Sequence, residues 1–183
     1  MRIQKLLKKH AKAYAIVNTG EIRFDPAFHA LCEQNACGFY GACWMCPPDV
    51  GDIRDWMQRA QSYERALVFQ TVSEIADSFD IEGMQHAARR HNHLIVRLRR
   101  AAQRDGLDCL LLGAGTCGGC KTCAKKAGEP CRHPDRAVVP LEAAGVDVVQ
   151  LAQLSGLPYL GGKHTVTYFG ALLFRGEAER ALG

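Results

Sequence analysis

Nine cysteines in a chain of 183 residues are the feature that most constrains this protein. All but Cys109 lie in two groups, one between Cys32 and Cys46 and the other between Cys117 and Cys131. A chain of this length can bury a core without cross-links, and an odd number of cysteines does not suit a framework of paired disulfides. Compact groups of thiols favour metal ligation instead.

The second group has the more specific spacing. Cys117, Cys120 and Cys123 are separated by two residues each, and Cys131 follows before a His-Pro pair. Bacterial ferredoxins begin their ligand run with the same spacing. Zinc usually takes its ligands as separated pairs, whereas an iron–sulfur cluster presents several irons to successive thiolates. The spacing favours an iron–sulfur cluster and leaves zinc as the alternative. His133 is either a further ligand or donor, or an ordinary surface residue.

The first group predicts a second metal centre. Cys32, Cys37, Cys43 and Cys46 follow the pattern C-x4-C-x5-C-x2-C, which is not a standard zinc-finger spacing. Cys109 stands apart inside an apolar segment, where we expect it to pack as a small apolar side chain rather than bind metal. A G-x-G-x-x-G match over 113–118 lacks the helix that a dinucleotide site requires, so we interpret it as coincidence.

Hydrophobic periodicity and turn residues place both cysteine groups between regular elements. The predicted strands cover 14–17, 22–24, 66–72, 109–112 and 165–174. The predicted helices cover 1–12, a segment opening at Asp25-Pro26 and running through Cys32, a segment from 49–52 to about 62, 83–104, and 141–154 with a break near Gly145. This order predicts an α/β or α+β fold: one sandwich domain over 1–183, with a mixed sheet, flanking helices and two metal-binding loops.

Charge and hydropathy narrow the possible partners. The net charge is +4, and the arginines at 89, 90, 97, 100 and 104 are more typical of a solvated helix face than of a nucleic-acid surface. No apolar stretch is long enough to span a membrane, and the N-terminus lacks the apolar region of a signal peptide. We therefore expect a cytoplasmic protein that binds neither membranes nor nucleic acid.

The cysteine segments resemble a family of uncharacterised, cysteine-rich, predicted metal-binding proteins of bacteria and archaea, known as a domain of unknown function. The resemblance covers most of the chain. It rests on the segment from Cys32 through Cys46-Pro47-Pro48, on Gly113 through Cys123, on Cys131-Arg132-His133-Pro134, and on Gly156-Leu157-Pro158-Tyr159.

The resemblance implies a set of ligands. The family pattern has a small polar residue at the position of Cys43, so the implied ligands are Cys32, Cys37 and Cys46 in the first centre. Those of the second centre are Cys117, Cys120, Cys123 and Cys131. With two [4Fe-4S] clusters, the three-cysteine centre would keep one iron open. In an exchanged arrangement, Cys46 would join the second centre and Cys131 the first.

Three functions remain open from the sequence. The first is electron transfer or redox chemistry at the three-cysteine cluster, with a redox partner protein or a small-molecule substrate. The second is a non-redox enzyme of the desulfuration type, in which the open iron acts as a Lewis acid or sulfur acceptor. The third is a structural zinc protein. The sequence does not decide whether the protein is an enzyme, and it leaves the oligomeric state open.

Overall fold

Five strands form the centre of the computed structural model, which describes residues 2–175. They are β1 (Ala13–Asn18), β2 (Arg65–Glu74), β3 (Cys109–Gly113), β4 (Val139–Pro140) and β5 (Thr165–Phe174). The sheet has the order β1-β2-β5-β3-β4, in which only the β3–β4 pair is parallel. β2 and β5 pair along their full length, so the longest strands lie at the middle of the sheet.

Helices cover both faces of this sheet. They are α1 (Arg2–His10), α2 (Phe28–Glu33), α3 (Ile53–Gln61), α4 (Ile81–Arg104) and α5 (Val148–Ser155). Buried residues of α1 and α4 pack on one face, and those of α3 and α5 pack on the other. The predicted mixed α+β sandwich with flanking helices is therefore confirmed.

Alternation along the strands divides the core into two layers. On β5, Ala171 and Leu173 face the α3–α5 side, whereas Leu172 and Phe174 face α1 and α4. Successive side chains of a strand point to opposite faces, so an almost continuous apolar run is what a strand covered on both sides requires. The run at the end of β5 therefore predicts a central strand.

The start of the chain differs from the prediction in two places. Residues 22–24 do not form a strand: Thr19–Glu21 is a 3₁₀ turn, and Phe24 makes a single bridge with Val146. β1 pairs antiparallel with β2 over all six of its residues. The helix predicted at Asp25-Pro26 begins only at Phe28, since the Asp25 carboxylate accepts the Ala27 N–H and closes a turn first.

Most other elements agree with the sequence. The strand predicted over 165–174 has those bounds, and α4 begins two residues earlier than predicted, at a cap in which Asp80 accepts the Gly83 N–H. The break predicted near Gly145 lies at that residue, where φ is +77°. Ile3 and Leu7 of α1 are buried, as the sequence predicts for a helix that packs on the rest of the domain. Met1 of the predicted helix and residues 176–183 of the predicted domain lie outside the described residues. Within residues 2–175, no helix combines the length and apolarity needed to cross a membrane.

Candidate metal centre

Both groups of cysteines lie near the β4 edge of the sheet. The first cysteine loop (residues 32–52) starts in the last turn of α2 and leads to α3, and the second cysteine loop (residues 114–138) connects β3 to β4. α2 packs on the 3₁₀ turn Glu142–Ala144, which directly follows β4. Segments far apart in the sequence are thereby brought to one region of the molecule.

Trp44 fastens the first loop to the second. Its indole Nε1 donates a hydrogen bond of 2.9 Å to the Glu129 carbonyl, and the Lys125 ammonium lies 4.4 Å from the centre of its ring. Lys125 also pairs with Asp49, and both side chains of this pair are largely buried. Because a buried carboxylate needs a partner, this ion pair and the indole hydrogen bond hold the two loops in a fixed arrangement.

A thiol pair lies at the junction of the loops. The Cys46 thiol lies 3.8 Å from Thr116 Oγ1, and both Cys46 and Cys43 are buried. A hydrogen bond from Cys46, assisted by Thr116 and by the N–H groups of Met45 and Cys117, lowers the pKa of Cys43 to about 5. Cys43 itself and burial raise the pKa of Cys46. The pair therefore carries one stabilised thiolate, on Cys43.

The second loop rests on α4. The Val138 N–H donates to Cys117 Sγ at 3.4 Å, and burial raises the pKa of the Cys117 thiol. A Cβ atom at Gly118 would lie 1.9 Å from Nδ2 of Asn92, whose side chain is buried on α4 and whose Oδ1 has no hydrogen-bond partner. The glycine thus permits a close approach of loop and helix that no other residue allows.

A buried carboxylate lies beneath the first group. Burial raises the pKa of Glu142, and its Oε2 atom has no hydrogen-bond partner. The pKa of Cys32 is raised by burial and, to a smaller extent, by Cys37 and Glu142. Cys37 and Glu142 therefore both lie within electrostatic range of Cys32. An unpartnered buried carboxylate is costly unless a proton or a cation neutralises it.

The predicted ligands differ in exposure. Cys37 is exposed and Cys46 is buried, and the remaining five are partly buried: Cys32, Cys117, Cys120, Cys123 and Cys131. All nine cysteines are free thiols. Within residues 2–175, no three histidine, cysteine or acidic side chains converge closely enough to hold a metal ion. The structure brings Cys43 and the predicted ligand Cys46 together beside Thr116, with Cys37 and Cys117 within electrostatic range of this pair.

Cys109 lies apart from both loops. It is partly buried on β3 and packs against the core under α1 and α4, where burial raises its pKa to about 11. The thiol therefore stays protonated at neutral pH and is a poor ligand. The glycines over 113–118 lead into the second cysteine loop and not into a helix, in agreement with the interpretation of that motif as coincidence.

The donor set fits a soft metal or an iron–sulfur cluster. Thiolates are the ligands that both zinc and iron–sulfur clusters prefer. Cys117 accepts a hydrogen bond from the backbone N–H of Val138, as sulfur ligands of clusters commonly do. The orphaned Oε2 of Glu142 adds one oxygen donor that a cation would satisfy.

Three of these residues were not identified from the sequence: Thr116, Asn92 and Glu142. Thr116 directly precedes Cys117, so its position was a signal that could have been used. Asn92 interrupts the apolar stripe of α4 and was a weaker signal. Nothing in the sequence distinguishes Glu142 from other acidic residues, because its burial results from the packing of α2 on the turn after β4.

A family model matches most of the chain. Residues 15–174 match the family described as "Predicted metal-binding protein (DUF2284)". No curated protein and no solved structure matches the chain significantly.

Proposed function

Because this chain belongs to that family of predicted metal-binding proteins, we propose that it is an iron–sulfur protein with two [4Fe-4S] clusters held by its two cysteine loops. The observation that carries the proposal is the junction of Cys43 and Cys46 with Thr116 and Cys117. Two thiol-rich loops that meet through buried, hydrogen-bonded sulfur atoms are suited to adjacent clusters. Membership in a family of predicted metal-binding proteins agrees with this, because cysteines that ligate a metal do not form disulfides.

The cysteines that influence one another's pKa values suggest how the ligands divide between the two centres. Cys37 affects the pKa of both Cys32 and Cys46, and Cys131 affects that of Cys117. We therefore assign Cys32, Cys37 and Cys46 to the first centre. Cys117, Cys120, Cys123 and Cys131 are assigned to the second. The exchanged arrangement, with Cys46 in the second centre and Cys131 in the first, is the alternative, because Cys46 also contacts Thr116 beside Cys117.

Cys43 has a separate role in this proposal. Its thiolate is stabilised mainly by the neighbouring Cys46 thiol, and it lies within electrostatic range of Cys117. It therefore stands between the two centres, either as an additional ligand of the first or as a fixed negative charge beside the second. A thiolate beside a cluster lowers the cluster's reduction potential, because reduction adds a further negative charge.

Clusters of this kind exchange single electrons, and an iron without a thiolate ligand also acts as a Lewis acid. The protein's own contribution is to hold the sulfur atoms, to exclude water with Trp44, and to fix the loops through Lys125 and Asp49. Electron transfer or redox chemistry, with a partner protein or a small substrate, is the function that two adjacent clusters support best.

Glu142 favours a second candidate function. Its unpartnered carboxylate near Cys32 is suited to ligate the position that three cysteines leave open, or to exchange a proton with a substrate bound there. Such a site would serve a non-redox enzyme of the desulfuration type. An exchangeable iron in the first centre, lost when Cys37 is replaced by serine, is the expected sign of this chemistry.

Serine substitutions test the assignment under strictly anaerobic conditions. Electron paramagnetic resonance of the reduced protein should show two interacting clusters in the wild type. Cys120→Ser should remove one cluster, Cys37→Ser should remove the other, and the control Cys109→Ser should remove neither. Zinc in place of iron and sulfide, or an equal loss of clusters in the Cys109 variant, would contradict the proposal and favour a structural zinc protein.

A further inference from the structure

A cleft on the α1–α4 face lies outside the two cysteine loops. Its volume is about 380 Å³, and it opens between the end of α1, the middle of α4 and the second half of β2. Ligand pockets are typically about 300–1,000 Å³, so the cleft has room for a small molecule. The lining residues are Lys9, His10, Thr71, Val72, Ser73, Arg90, His93, Leu94 and Arg97.

The charge of the cleft is of one sign. Lys9, Arg90 and Arg97 contribute three permanent positive charges, and His10 and His93 add two imidazoles. None of the described residues that line it carries a carboxylate. Desolvation, together with the charges of Arg97 and Lys9, lowers the pKa of His10, which agrees with a positive potential inside the cleft.

The geometry orients these groups toward one another. Arg97 Nη1 lies 2.7 Å from His10 Nε2, so a neutral imidazole accepts from the guanidinium and fixes its position. Arg90, His93 and Arg97 recur at helical spacing and share one flank of α4. Thr71 and Ser73 project from alternate positions of β2 and bring hydroxyl groups to the floor of the cleft.

We propose that this cleft binds the phosphate groups of a small phosphorylated molecule, with a pyrophosphate as the unit that fits best. Arginine and lysine bind phosphate oxygens through strong charge-assisted hydrogen bonds, and the hydroxyl group of Ser73 adds a neutral donor. The Thr71 hydroxyl donates to His91 Nδ1 and can only accept from a ligand. Three permanent charges exceed what one phosphate needs and match a diphosphate. No Phe, Tyr or Trp side chain is among the described residues that line the cleft, so it lacks the large stacking surfaces that binding of single-stranded nucleic acid uses.

The cleft and the second cysteine loop lie against different flanks of one helix. Asn92 of α4 approaches Gly118, and Arg99 donates to the carbonyl of Ala137, whereas Arg90, His93 and Arg97 face the cleft. A helix with its side chains is about 10 Å across, so the ligand would sit close to the loop without touching it. The inference does not depend on which metal the loops hold.

Calorimetric titration of the full-length protein with inorganic pyrophosphate tests the proposal. The wild type should bind pyrophosphate more tightly than inorganic phosphate, and Arg90→Gln/Arg97→Gln should weaken binding by at least about tenfold. The matched control is Arg89→Gln/Arg100→Gln, which removes the same charge from exposed positions of the same helix outside the cleft. Its affinity should change less than about twofold.

Two further measurements keep the result unambiguous. Replacing Arg97 also removes its hydrogen bond to His10, so the thermal unfolding midpoint of each variant is compared with that of the wild type to detect a loss of stability. Lys9→Gln is a second cleft variant, and it leaves the Arg97–His10 hydrogen bond in place. Pyrophosphate should raise the midpoint of the wild type and the control but not of the cleft variants. Absence of pyrophosphate binding, an equal loss in the control, or a short single-stranded oligonucleotide that binds through the cleft arginines when pyrophosphate does not would each overturn the proposal.

Discussion

A methyl group added at Gly118 should destabilise the protein more than one added at Gly115 in the same loop. Both residues have positive φ, +59° and +69°, so alanine at either position costs about 1–2 kcal/mol in backbone strain. At Gly115 the new Cβ meets nothing within 4 Å, whereas at Gly118 it would lie 1.9 Å from Asn92 Nδ2. Overpacking of this kind adds about 1–3 kcal/mol, which is therefore the expected difference between the two variants.

Urea unfolding of the metal-free protein under anaerobic conditions, followed by circular dichroism, measures this difference in the free energy of unfolding. The entropy that alanine removes from the unfolded chain is the same in both variants and cancels. Asn92→Ala should relieve the clash, so Gly118→Ala should cost only the backbone strain in that background. Equal destabilisation at the two glycines, or no relief by Asn92→Ala, would refute the packing of the second cysteine loop on α4.

Three further predictions concern buried polar groups. Burial lowers the pKa of His91 from 6.5 to about 4, so between these pH values only the unfolded state gains a proton at this residue. The free energy of unfolding should therefore fall by about 3 kcal/mol as the pH is lowered through that range. Unfolding curves measured at a series of acid pH values should lose this dependence in His91→Gln. Trp44→Phe removes the hydrogen bond to Glu129 and should lower the urea midpoint by the equivalent of about 1 kcal/mol, whereas a bond of no consequence would leave it unchanged. Burial raises the pKa of Glu142 above 4.5, so its contribution to the stability of the metal-free protein is present below pH 4.5 and is lost as the pH rises through the folded-state pKa. At neutral pH, Glu142→Gln should therefore be more stable than the wild type in urea unfolding. Equal stability of the two proteins would argue against an unpartnered carboxylate.

The elements predicted best from the sequence are those with a long and regular pattern. The 24 residues of α4 repeat their apolar positions over many turns, and the almost unbroken apolar end of β5 marks a strand that is buried on both faces. The segment 22–24 was predicted wrongly because a three-residue segment with two apolar side chains, Ile22 and Phe24, cannot specify a partner. Its neighbour β1 pairs with β2, which lies about fifty residues further along the chain.

The candidate site was predictable in composition but not in arrangement. Spacing identified the two cysteine groups, because ligand spacing is a local property of the chain. The contact of Cys46 with Thr116 joins residues that are 70 positions apart, so local spacing cannot predict it, and the burial of Glu142 depends on the packing of α2 against the turn after β4. The neighbouring Cys46 thiol lowers the pKa of Cys43, although the family resemblance left Cys43 out of the ligand set.

The most direct test of the account is the metal and sulfide content of protein purified without exposure to air. Two [4Fe-4S] clusters predict iron and acid-labile sulfide in equal molar amounts, four of each per cluster, with reducible absorption in the visible range. Stoichiometric zinc without sulfide, in a colourless protein that unfolds when zinc is chelated, would contradict it.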